Sequence, residues 1–142
     1  PYPDVVAYVA RAHQIFNFDD LFVDKTGVGD VIVDELEAIE GLRNVKGVFF
    51  TDIEKENMLN HLKLLMEKKL LRILGDDKQL IAQINEQQYE YLKPKTAQER
   101  IYLKFWHPPG RHDDHLYALA LACYASTEAP PPGKGAILLP HE

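Results

Sequence analysis

The sequence predicts a single domain of the α/β class. Short apolar runs typical of buried strands alternate with longer segments whose apolar residues recur every three or four positions. A chain of 142 residues can form one hydrophobic core but is too short for two. Because strands that alternate with helices are usually joined by crossover connections, we expect at least some parallel pairing.

The first three elements are predicted to be a helix, a strand and a second helix. Asp4 is a plausible cap for the first helix. The apolar run 21–23 stops at a polar turn and predicts a buried strand. The second helix follows two glycines and is expected to end at Gly41. The apolar positions are Val5, Val9, Ala12 and Phe16 in the first helix and Val28, Ile32, Leu36 and Ile39 in the second.

The middle of the chain predicts a second strand at residues 45–50 and two further helices. Thr51 or Asp52 is expected to cap the first of these, and Asp77 the second. Residues 70–74 fit either a last helical turn or a short strand, because periodicity does not decide between them. The inward positions are Met58, Leu59, Leu62, Leu65 and Met66 in the long helix and Leu80, Ile81, Ile84 and Gln88 in the next.

The last part of the domain predicts a half-buried strand at residues 101–106, where apolar and polar side chains alternate. Asp113 or Asp114 then opens a final helix. Its inward positions are Leu116, Leu119, Ala120 and Cys123. Prolines and glycines predict an extended tail at residues 127–142, after a domain of residues 1–126.

Charge and cysteine content restrict the possible functions. Sixteen Lys and Arg against 22 Asp and Glu give a net charge of −6, which argues against a broadly basic grip on nucleic acid. A single cysteine excludes an intramolecular disulfide and favours a reducing, cytoplasmic environment. Since no apolar run is long enough for a membrane helix, we expect no membrane partner.

Three carboxylates are the main candidates for chemistry. Asp24 directly follows an apolar strand, and ligand sites of α/β sheets collect at the carboxyl ends of strands. Asp113 and Asp114 stand together at the start of the last helix. Converging acids would form a hard oxygen site for Mg²⁺ or Mn²⁺. The alternatives are an Asx turn at Asp24 and helix capping by Asp113 or Asp114.

Other polar residues allow different interpretations. His107, His112 and His115 could bind Zn²⁺ with an Asp, although their spacings match no common zinc signature. Lys55 and Arg111 are candidates for contact with DNA phosphate, and the alternative for each is a solvated surface position.

The order of these segments resembles the C-terminal nuclease domain of the large terminase subunit, the viral and proviral DNA-packaging motor. The resemblance covers residues 1–126 and rests on the combined order and spacing of the segments. They are YPDV at 2–5, LFVDKTGVG at 21–29, GVFF at 47–50, KENM at 55–58, LIAQI at 80–84, GRHDDHL at 110–116 and ALALA at 118–122.

The resemblance implies an RNase H-like mixed sheet flanked by helices and metal-dependent cleavage of double-stranded DNA. Such enzymes bind two Mg²⁺ or Mn²⁺ ions between three acids, where one ion activates water and the other stabilises the leaving oxygen. Asp24 matches the fourth-strand acid, and Asp114, or else Asp113, matches the last-helix acid. The implied partners are double-stranded DNA, the terminase ATPase domain, the small terminase subunit and the portal.

One part of the family's pattern is missing from this sequence. The first acid of the family lies on a strand hairpin before the first helix, whereas this chain begins at that helix with Pro1. We therefore expect an N-terminally truncated domain with weak or no nuclease activity of its own. Strand 21–23 would then be an apolar sheet edge, which we expect to be covered by a second copy of the chain or by residues 136–139.

Two other functions are compatible with the same residues. A Holliday-junction resolvase has the same fold, and its last helix also begins with clustered acids. A non-catalytic remnant or interaction module would keep the fold without the first acid. A divalent-ion site at Asp24 and Asp114 would distinguish a nuclease from a remnant in which these residues only cap and turn.

Overall fold

The structure is a computed structural model that describes residues 2–93, residue 96 and residues 101–128. In this part of the chain, five helices and four strands confirm the predicted α/β class. They are α1 (Tyr2–Phe16), β1 (Asp20–Asp24), α2 (Val31–Glu37), β2 (Asn44–Val48), α3 (Asp52–Glu67), α4 (Lys78–Glu86), β3 (Gln88–Leu92), β4 (Tyr102–Trp106) and α5 (Asp114–Glu128).

The described strands form two separate two-stranded sheets rather than one mixed sheet. β1 and β2 pair in parallel, with Asp24 opposite Val48, which confirms the expected parallel pairing. The connection between them contains α2, as a parallel crossover requires. The carboxyl ends of both strands lie at the same end of the sheet, so the segments that follow them are close together there.

The second sheet contains a strand that the sequence pattern did not predict. β3 pairs antiparallel with β4, and Tyr91 lies opposite Leu103. Gln88 was expected on the side of α4, but that helix ends at Glu86 and Gln88 begins β3. The alternating tyrosines of this segment favour a strand once a partner strand is present. Glu56 of α3 ties the sheet to the core, because its Oε2 accepts a hydrogen bond from the Leu103 amide at 3.1 Å.

The hydrophobic core lies where α3 and α5 pack against each other and against both sheets. Met58 and Ala120 have no exposed surface, and Leu116 is 3% exposed, as their predicted inward positions require. Burial raises the pKa of the Cys123 thiol, consistent with its predicted role as a small core residue. Met66 was expected to point inward but is 40% exposed, because it lies at the rim of a groove beside β3 and β4.

Two predicted helix caps are confirmed and two predicted helix ends are wrong: Asp4 lies inside the first turn of α1, and α2 ends at Glu37 rather than at Gly41. Thr51 Oγ1 accepts a hydrogen bond from the Glu54 amide at 3.1 Å, and Asp77 Oδ1 accepts one from the Leu80 amide at 3.0 Å. Residues 70–74 form neither a helical turn nor a strand. α3 instead ends in a Schellman motif, in which Lys69 adopts a left-handed φ of 56° and two amides bond back to the last carbonyls.

The two ends of the described chain differ from the prediction in their burial and length. Of the apolar positions predicted on α1, Val5 and Phe16 are exposed, and the helix packs mainly against α2. α5 continues to Glu128, so the first two residues of the predicted tail are helical. Residues 129–142, including the apolar segment 136–139, lie outside the described residues. None of the described helices is long and apolar enough to cross a membrane.

Candidate functional site

A cleft of about 840 Å³ lies between β1 and α5. All of β1 lines it, because among the described residues this strand pairs only with β2 and its second edge is left without a partner strand. Small side chains at Ala118, Ala122 and Ala125 form the opposite wall. Their spacing of four and three residues places them on one face of the helix, which leaves room for the cleft.

The cleft brings together four of the five residues predicted to carry chemistry. Asp24 lies at the carboxyl end of β1, and Asp113 and Asp114 lie at the start of α5. Lys55, from the first turns of α3, lines the same cleft. The arrangement follows from the fold, because the carboxyl end of the parallel sheet is met by the N-terminal ends of α3 and α5.

Asp24 is held by the polar turn that follows β1. Its Oδ1 accepts a hydrogen bond from the Thr26 amide at 2.8 Å, which is the Asx turn considered as the alternative. Thr26 Oγ1 in turn accepts a hydrogen bond from the Phe50 amide at 2.8 Å. These bonds fix the end of β1 to the segment after β2. The turn therefore orients the Asp24 carboxylate at the cleft and is compatible with a ligand on it.

The start of α5 is fixed by both its own backbone and α4. The Tyr117 amide donates to the carbonyl of Asp113 at 2.9 Å, and the Leu116 amide donates to the buried Gln83 Oε1 at 3.0 Å. Asp113 and Asp114 lie beside the positive end of the helix dipole, where negatively charged side chains stabilise a helix. Gln83 was not among the residues predicted to be buried, yet its side chain holds the start of the helix next to both acids.

The predicted histidine site is not assembled. His107 Nε2 lies 4.0 Å from Asp113 Oδ1, and His112 Nδ1 lies 3.9 Å from Asp114 Oδ2, both beyond hydrogen-bonding distance. Within the described residues, no group of three or more His, Cys, Asp and Glu side chains is arranged to hold a metal ion. This disfavours a structural zinc site, which needs four ligands.

The carboxylates of the cleft are the type of ligand that Mg²⁺ and Mn²⁺ prefer, but too few of them converge to form a complete site. Carboxylate oxygens are the preferred ligands of these hard cations. Asp24, Asp113 and Asp114 do not converge into a group of three among the described residues. Mg²⁺ is, however, commonly held by one or two carboxylates together with water and substrate phosphate. The described residues therefore offer a partial site that water, phosphate or a further acid must complete.

Tyr117 is a member of the site that the sequence analysis missed. It is 5% exposed, and its ring centroid lies 5.4 Å from that of Phe50 and 5.2 Å from Lys55 Nζ. Its buried Oη has no hydrogen-bond partner among the described residues, an arrangement that costs about 1–3 kcal/mol. Burial raises the pKa of the Tyr117 phenol, and the negative charges of Asp113 and Asp52 raise it further.

Arg111 does not reach the cleft. Its guanidinium forms two hydrogen bonds with the Glu86 carboxylate, including one of 2.7 Å from Nε to Oε2. These bonds lower the pKa of Glu86 and raise that of Arg111. In the structure, Arg111 anchors the loop before α5 to α4.

No protein-family model matches this chain, and searches of curated proteins and of solved structures give no match either. The functional interpretation therefore depends on the cleft itself. Its described features are an acidic lining at the end of a parallel sheet, one lysine and a buried phenol.

Proposed function

We propose that this chain is the metal-dependent endonuclease domain of a terminase-type large subunit, which cleaves double-stranded DNA at the cleft between β1 and α5. The observation that supports the proposal best is the position of Asp24 and Asp114. They are far apart in the sequence but line the same cleft, together with Lys55. The RNase H-like arrangement of the domain is part of the proposal and rests on the sequence resemblance.

In this proposal, Asp24 and Asp114 hold Mg²⁺ or Mn²⁺, with Asp113 as the alternative last-helix ligand. Ions held there would supply Lewis-acid chemistry, that is, activation of water and stabilisation of the leaving oxygen of the phosphodiester. Lys55 contacts a phosphate oxygen, since among the described residues it is the lysine or arginine that lines the cleft. Phosphate would be repelled by the carboxylates alone. DNA binding at the cleft should therefore depend on the divalent ion.

The proposed partners follow from the same resemblance. They are double-stranded DNA, the terminase ATPase domain, the small terminase subunit and the portal, in the cytoplasm of the host cell. The second edge of β1 has no partner strand among the described residues, so a second copy of the chain is the alternative occupant of this edge, in place of DNA, because the same edge lines the cleft.

The first test is a titration with Mn²⁺, followed by calorimetry, of the wild type, Asp24→Asn and Asp114→Asn. Asparagine at position 24 keeps an oxygen that can accept the Thr26 amide, so the turn should persist while the charge is lost. We expect each variant to bind Mn²⁺ at least about tenfold more weakly, because each loses a charged ligand, with a melting temperature close to that of the wild type.

Asp76→Asn is the matched control, because Asp76 is exposed in the loop before α4 and is not among the residues lining the cleft. It should bind Mn²⁺ like the wild type. The proposal is wrong if the wild type does not bind Mn²⁺, or if the control loses as much affinity as the two cleft variants.

A non-catalytic module is the second candidate, favoured by the observation that the described acids do not converge into a group of three. A plasmid-nicking assay with Mn²⁺ separates the candidates. Weak nicking that is lost in Asp24→Asn supports the nuclease, whereas the absence of both nicking and Mn²⁺ binding supports the module. Preferential cleavage of a four-way junction over linear duplex would instead indicate a resolvase.

A further inference from the structure

The hydroxyl of Tyr117 is a buried polar group in the wall of the cleft. The residue is 5% exposed, and its Oη has no hydrogen-bond partner among the described residues. Buried hydroxyl groups nearly always have a partner in folded proteins. The side chain also lines the cleft that contains Asp24, Asp113 and Asp114. We therefore expect a hydrogen-bond acceptor close to the Tyr117 hydroxyl.

The geometry of α5 identifies that acceptor. Asp113 directly precedes α5, and the Tyr117 amide donates a hydrogen bond to its carbonyl, so the two residues lie close together at the start of the helix. Side chains on a helix lean towards its N-terminus, which directs the phenol of Tyr117 back towards Asp113. The Asp113 carboxylate has no competing hydrogen bond to His107, since their closest atoms are 4.0 Å apart.

The elements packed against Tyr117 contact its ring and do not pair with its hydroxyl, which is available to donate a hydrogen bond. From α3, the Lys55 ammonium lies over the ring face at 5.2 Å from the centroid, and Phe50 contacts the ring from the segment before that helix. Asp52, the first residue of α3, adds a second negative charge near the hydroxyl. A phenol between two carboxylates stays protonated, so it can donate a hydrogen bond but does not compete for cations.

We propose that Tyr117 is a positioning residue, whose hydroxyl donates a hydrogen bond to the Asp113 carboxylate and keeps it turned towards the cleft. Because Oη has no partner in the structure as described, forming this bond requires a side-chain rotation at Asp113 or Tyr117. The inference rests on the proposed function in one respect, which is that Asp113, named there as the alternative last-helix ligand, binds a divalent ion in the cleft. Groups that orient metal ligands in this way strongly affect metal affinity.

The hydrogen bond is tested by a double-mutant cycle in metal-free protein, with Tyr117→Phe, Asp113→Ala and the combined variant. Phenylalanine keeps the ring contacts with Phe50 and Lys55 and removes only the hydroxyl. We expect Tyr117→Phe to raise the unfolding equilibrium constant about tenfold when Asp113 is present and to leave it almost unchanged in Asp113→Ala. Chemical denaturation measures all four proteins.

The control is Tyr124→Phe, which removes a hydroxyl from the same helix outside the cleft lining. Its effect should be the same with and without Asp113→Ala. If the effects of Tyr117→Phe and Asp113→Ala simply add, or if Tyr117→Phe stabilises both backgrounds equally, the hydroxyl is unpaired and the inference is overturned.

The positioning role is tested by Mn²⁺ binding, which a merely structural hydrogen bond would not change. We expect Tyr117→Phe to bind Mn²⁺ about 10–100-fold more weakly than the wild type, and Tyr124→Phe to bind it equally well. Equal affinity of the wild type and Tyr117→Phe overturns the positioning role. If the wild type does not bind Mn²⁺ at all, the proposed function fails, and the double-mutant cycle alone decides whether the Tyr117–Asp113 bond exists.

Discussion

Two concave surfaces of this protein differ sharply in their chemistry. Among the described residues, the cleft beside β1 is lined by five aspartates and one lysine, which are Asp19, Asp20, Asp24, Asp113, Asp114 and Lys55. The groove between α3 and the β3–β4 sheet, about 560 Å³ in volume, is mostly apolar and aromatic. Its charged lining residues, Lys63 and Glu67, form an ion pair with each other at 3.7 Å.

The contrast shows how one helix can separate a packing surface from a charged site. Leu116 of α5 lines the groove, whereas its neighbour Tyr117 lines the cleft. Acidic residues outnumber basic ones in the described lining of the cleft, which favours ligands of positive charge. The groove carries no such imbalance. This difference supports the proposal that the cleft, rather than the groove, binds a divalent ion.

The largest expected effect distinguishes the core from the rim of the groove, using two methionines of α3. Met58 has no exposed surface, whereas Met66 is 40% exposed. We expect Met58→Ala to lower the free energy of unfolding by about 2–5 kcal/mol, because it leaves a cavity in the core. Met66→Ala should cost about 0.5 kcal/mol or less. Urea denaturation provides the measurement, and equal losses would mean that another surface covers the groove.

A smaller effect tests how tightly the cleft-bearing sheet is packed on its α2 side. A Cβ atom on Gly47 of β2 would lie 2.5 Å from Lys25 Cδ and 2.7 Å from Val33 Cγ2. The lysine is restrained by its 2.6 Å ion pair with Asp30, and the valine is branched and rigid. We therefore expect Gly47→Ala to destabilise the protein by about 1–3 kcal/mol.

The matched control for this substitution is Gly75→Ala. A Cβ atom on Gly75 has no neighbour within 4 Å. Alanine there should leave stability unchanged or raise it by up to about 1 kcal/mol, since it restricts the unfolded chain. Thermal melts of both variants decide the comparison. A Gly47→Ala variant as stable as the wild type would show that α2 can move away from the sheet without cost.

Local sequence signals were sufficient for the parts of the fold that position the acids. The apolar run before Asp24 and the caps at Thr51 and Asp77 depend on neighbouring residues, and all three were predicted. That Asp24 and Asp114 line one cleft follows from a general rule for α/β folds, in which strand carboxyl ends and helix N-termini meet at one edge.

Features that depend on distant contacts were not predictable in this way. β3 becomes a strand because β4 pairs with it, and the left-handed Lys69 that ends α3 carries no strong sequence signal. Tyr117 looked like one more apolar residue of the last helix. Its spacing of four residues from Asp113 was the available signal, but only the fold shows that its hydroxyl is buried at the cleft.

The smallest expected effect concerns the link between the two surfaces. Arg111, in the loop before the cleft acids, is hydrogen-bonded to Glu86 at the end of α4, the helix that also lines the groove through Ile84. The bonds from Arg111 lower the pKa of Glu86 below its ordinary value of about 4.3. A lowered carboxyl pKa stabilises the folded state above the unfolded-state value, and this contribution is lost as the pH falls through the folded-state value.

The wild type should therefore lose slightly more stability than Glu86→Gln when the pH falls from 6 to about 3. Because the pair is exposed, we expect a small difference in melting temperature that decreases in high salt. Arg111→Gln is the matched control, since it removes the cation and should give the same flattened pH profile as Glu86→Gln. If the three proteins show parallel profiles, the pair adds nothing to the charge state of Glu86, and the loop that carries Asp113 and Asp114 is held by Gln83 and the helix backbone instead.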